Sequence, residues 1–133
     1  SLTNVMIGKS DPNVIAILDW ELSTLGDPCA DFNYHCLQYT MNPKLADKEY
    51  CKQQGIPVID DYVKMYSERI DIDLTEEWDL YTAYNLFKLA GILQGILGRV
   101  RDGTAAHENA AERASGVRNL SDTAWDLVEK NFL

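Results

Sequence analysis

Residues 14–34 read VIAILDWELSTLGDPCADFNY, and this stretch decides the fold. Its first five residues are apolar and rich in β-branched types, the composition and length of a buried strand, and the run stops on Asp19. Upstream, residues 5–7 form a second short apolar run. The intervening GKSDPN (8–13) is dense in turn residues, so a β-hairpin is expected. In an antiparallel pair the residue entering the first strand lies beside the residue leaving the second, which places Asn4 next to Asp19 at the open end. Downstream, Asp27 has the chemistry of an N-cap and Pro28 suits a first helical position, so a helix is expected from there to about Gln38.

Working outward, residues 41–57 read as a loop containing one short helix. Residues 58–69 carry Ile59, Tyr62, Val63 and Tyr66 at helical spacing. Asp73, with Glu76 three residues on, has the form of a capping box. EEWDLYTAYNLFKLAGILQGILGRVRDG (76–103) reads as one long helix stopped by Gly103. Asn85, Lys88 and Gln94 interrupt its apolar residues, which argues against a membrane span. Gly91 and Gly95, one turn apart, would let another helix approach closely. Residues 104–115 are Ala-rich and expected to be helical, and Ser121 is expected to cap a last helix carrying Trp125, Leu127 and Val128. The fold class is mainly α with a short N-terminal β-hairpin.

The chain has 133 residues, enough for one domain or for half of a larger one. Its formal charge of −9 argues against a nucleic-acid backbone or an anionic membrane surface as partner. Cys29, Cys36 and Cys51 are odd in number and lack C-x-x-C spacing, as expected of reduced thiols in an intracellular setting, the cytoplasm or an organelle interior. No charged-then-apolar leader opens the sequence.

Asn4 and Asp19 together offer two hard oxygen ligands, which Mg²⁺ prefers, and magnesium commonly leaves its other positions to water and phosphate. Both residues are equally ordinary at turns, so from spacing alone a pair of turn caps is the favoured reading. His35, one helical turn after Asp31, reads as a histidine bonded to a neighbour, and His107 as solvated. Trp20, Trp78, Trp125, Tyr81 and Tyr84 read as core. No serine sits in a nucleophile elbow.

VIAILDWELSTLGDPCADFNY and YNLFKLAGILQGILGRVRDG (84–103) resemble the kinase-like family of aminoglycoside and choline phosphotransferases. The similar branch is the one fused to, or encoded alongside, acyl-CoA dehydrogenases. SLTN (1–4) resembles the end of that family's catalytic loop, H-G-D-x-x-x-x-N. The resemblance implies that residues 1–133 are the C-terminal portion of a protein-kinase-like α+β fold. It implies transfer of a γ-phosphoryl group from ATP or GTP to a small-molecule hydroxyl, such as a hydroxyacyl or hydroxyacyl-CoA substrate. Asn4 and Asp19 would then be catalytic residues that hold Mg²⁺, with Glu21 a candidate for a second metal or else a solvated loop carboxylate, and Asp31 a scaffold for the catalytic loop's backbone. Counted back from Asn4, the proton-accepting aspartate falls just before Ser1, so the chain alone is expected to be inactive. It is also expected to lack its N-terminal lobe, to expose an apolar edge there, and to self-associate. The alternative is a non-catalytic helical module or pseudokinase-type interaction scaffold.

Overall fold

The computed structural model describes residues 2–21, 23–105 and 109–133. It is mostly helical, with a small antiparallel sheet at the N-terminal end. A single 3₁₀ turn, Leu2–Asn4, leads into β1 (Val5–Ile7), which pairs with β2 (Val14–Ile17). Val5 stands opposite Ile17, Met6 opposite Ala16 and Ile7 opposite Val14, so Ile15 is the extra residue of a bulge. Gly8 closes the turn through its N–H to the Asn13 carbonyl (2.9 Å), and a side chain there would run into the Asp11 carbonyl. The hairpin therefore forms where the sequence places it. Its second strand is not buried, however: Ile15 is 63% exposed, because no helix among the described residues packs extensively on either face of the two-stranded ribbon.

Helix α1 (Pro28–Met41) begins as the sequence predicts, with the Asp27 carboxylate accepting from the Cys29 N–H at 2.8 Å and Pro28 in the first turn. It runs three residues past Gln38. The next segment holds two short helices rather than one, α2 (Pro43–Ala46) and α3 (Lys48–Gln53), each started by its own side-chain cap, Asn42 and Asp47. Helix α4 (Ile59–Ile70) stops at Asp71, whose left-handed backbone (φ 56°) turns the chain.

Helix α5 (Trp78–Arg101) is the long helix expected, and Gly103 ends it with φ 70°, a conformation glycine adopts without steric cost. Asp73 does not cap it. The Asp73 carboxylate instead accepts from the Thr75 N–H (2.9 Å) and hydroxyl (2.6 Å), a local turn that competes with the capping box. Of the Ala-rich segment only α6 (Ala110–Arg113) is helical among the described residues, and His107 lies outside them. The last helix, α7 (Val117–Phe132), starts before Ser121, whose hydroxyl bonds the Val117 carbonyl one turn back rather than capping an end.

Two apolar clusters meet on α1. Cys29, Phe32 and Cys36 face Val63 of α4 and Leu74, with Phe32 stacked on Tyr66 at 3.8 Å between ring centroids. Leu37 faces Leu86 and Ala90 of α5 and Leu120 and Ala124 of α7. Trp78 and Tyr81 pack against the first cluster as expected, but Trp20, Tyr84 and Trp125 are exposed, so three of the aromatic residues read as core lie on the surface. Between α1 and α5 sits a buried polar network. Asn85 donates to the Ala30 carbonyl (2.9 Å) and to Asn33 Oδ1 (3.0 Å), while Asn33 donates to Thr82 Oγ1 (2.9 Å) and the Trp78 carbonyl (3.3 Å). No helix among the described residues is long and apolar enough to cross a membrane.

Candidate functional site

The hairpin's last rung is the Leu18 N–H to the Asn4 carbonyl, 2.7 Å, and it fixes the backbones on either side of the open end. One residue further, Asp19 adopts φ 66°. Left-handed backbone is uncommon for any residue with a side chain, though Asn and Asp tolerate it best, and such residues gather where a side chain must be aimed. The turn of direction brings Asp19 Oδ2 to 2.9 Å from Asn4 Nδ2. The amide donates, and among the described residues Asn4 Oδ1 meets the Thr3 hydroxyl at 3.4 Å while Asp19 Oδ1 accepts no hydrogen bond. Both side chains have access to solvent. The indole N–H of Trp20 folds back onto the Ile17 carbonyl (2.6 Å) and the Ser23 N–H closes on the Trp20 carbonyl (2.9 Å), so the turn after Asp19 is internally tied.

Asn4 and Asp19 are thus brought together. Glu21 lies exposed in the turn that follows. Asp31 stands in the first turn of α1, where a negative charge suits the helix N-terminus, and among the described residues its carboxylate accepts no hydrogen bond. His35 is half-buried with Nε2 3.1 Å from the Tyr62 hydroxyl, and burial pushes its imidazole below the ordinary histidine range. Burial raises the Cys36 thiol to about 12, which removes it from nucleophilic chemistry. The three cysteines are free and buried.

Sequence reasoning missed a second function of Asp27. Besides capping α1 it accepts from the Tyr81 hydroxyl of α5 at 2.7 Å, so one carboxylate ties the end of the Asp19 loop to two helices. The Tyr81 hydroxyl, then the Cys29 N–H, hold the Asp27 carboxyl below its usual range. A depressed carboxylate contributes stability that is present above its ordinary pKa and lost as pH falls through the folded value. Tyr81→Phe removes the first of these donors. NMR titration should then show the Asp27 carboxyl moving up toward the usual range, with α1 still formed; an unchanged titration would mean the tether carries no weight.

With this geometry in view, a family model described as "Phosphotransferase enzyme family" matches residues 1–84, from the 3₁₀ turn into the first third of α5. The chain belongs to that family. The family implies a kinase-like fold. Acyl-CoA dehydrogenase family member 10 of Mus musculus is 35% identical across 97% of this chain, and acyl-CoA dehydrogenase family member 11 of Homo sapiens 31% identical across 98%. A probable acyl-CoA dehydrogenase, IBR3, of Arabidopsis thaliana is 33% identical across 96%. The matched region is 12%, 17% and 16% of those three proteins respectively, so the chain spans less than a fifth of each. No solved structure matches.

Proposed function

We propose that the protein carrying this chain transfers the γ-phosphoryl group of ATP or GTP to a small-molecule hydroxyl, with Asn4 and Asp19 as the Mg²⁺ ligands on this part of its kinase-like domain. The observation that carries the reading is the 2.9 Å contact between those two side chains at the open end of the hairpin. Family membership supports the reaction type. The donor set suits magnesium: one carboxylate and one amide oxygen are hard ligands, and a few protein ligands suffice where phosphate and water complete the shell. Bound there, the ion would neutralise charge on the nucleotide phosphates. Asn4 would have two functions, donating through Nδ2 to hold the Asp19 carboxylate in one orientation and offering Oδ1 to the ion. The left-handed backbone of Asp19 and the tied turn behind it would keep that carboxylate from swinging away, which is the positioning phosphoryl transfer depends on.

Glu21 is a candidate second-metal ligand by its place two residues on, and Asp31 a candidate scaffold for the catalytic loop. The names of the relatives support an acyl or acyl-CoA acceptor bearing a hydroxyl. The test is ADP release by the full-length protein with MgATP or MgGTP and a panel of hydroxylated acyl acceptors. Acceptor-dependent release that EDTA abolishes is the expected result. Failure of every acceptor, together with nucleotide binding that ignores magnesium, would favour a non-catalytic helical scaffold.

A further inference from the structure

We draw no further inference here: the strongest candidate, the exposed apolar surface of the β1–β2 hairpin, carries no proposal because nothing in the structure shows what covers it.

Discussion

Asp19→Asn in the full-length protein is expected to lower kcat by about 3 kcal/mol in barrier, a hundredfold or more, the scale of losing one principal electrostatic stabiliser. The substitution is chosen for what it leaves alone. Asparagine has the size of aspartate and accepts left-handed backbone as readily, so the φ of 66° carries no new strain. The side chain can still bond Asn4 after an amide flip. What disappears is the negative charge that would hold Mg²⁺. Alanine at the same position would add left-handed strain of about 1 to 2 kcal/mol to the loss of charge, confusing fold with chemistry. If Asp19 were only a turn cap, Asp19→Asn should cost at most about 1 kcal/mol of stability and leave turnover near normal. Steady-state kinetics and a melting curve on one preparation separate the two outcomes.

The second large effect lies far from the hairpin. Asn33→Asp exchanges an amide nitrogen for an oxygen at a residue that is only 1% exposed. The Asn33 amide nitrogen donates to Thr82 Oγ1 and the Trp78 carbonyl, so the replacement sets a carboxylate oxygen against a carbonyl in a site with no cation among the described residues. The expected loss at pH 7 is about 3 kcal/mol, read as a lower urea midpoint. Its pH dependence gives the cause away. Burial raises the introduced carboxyl's pKa in the folded state, so the loss is complete above that folded value. It shrinks as pH falls from there and vanishes below the unfolded value of about 4, where both states are neutral. An equal loss at pH 4 and pH 7 would point to misfit rather than buried charge.

How much of this could be read from the chain itself follows from the range of each interaction. Asn4 meeting Asp19 was legible because a hairpin converts a sequence separation of fifteen into direct contact by register alone. The Asp27 cap and the Gly103 stop were legible because caps act within a few residues. Asp73 and Ser121 misled for the same reason: each is a residue type that caps, yet its local hydrogen bonds went to Thr75 and Val117 instead. The bond from Tyr81 to Asp27 crosses 54 positions and left no periodic trace. The Asn33 and Asn85 network left a faint one, since each interrupts an apolar helical face, but the interruption does not say which partner satisfies it. The second strand was misread as buried because composition reports what a strand could pack against, not what is there.

Helix α1 gives one side to the aromatic cluster with α4 and another to the aliphatic cluster with α5 and α7. Both clusters lose a face if α1 leaves, although α5 and α7 still pack on each other. The helix that follows directly on the Asp19 loop thus couples the two clusters. A disturbance where Asp27 starts α1 therefore reaches a helix that serves both clusters, whereas among the described residues no hairpin side chain belongs to either.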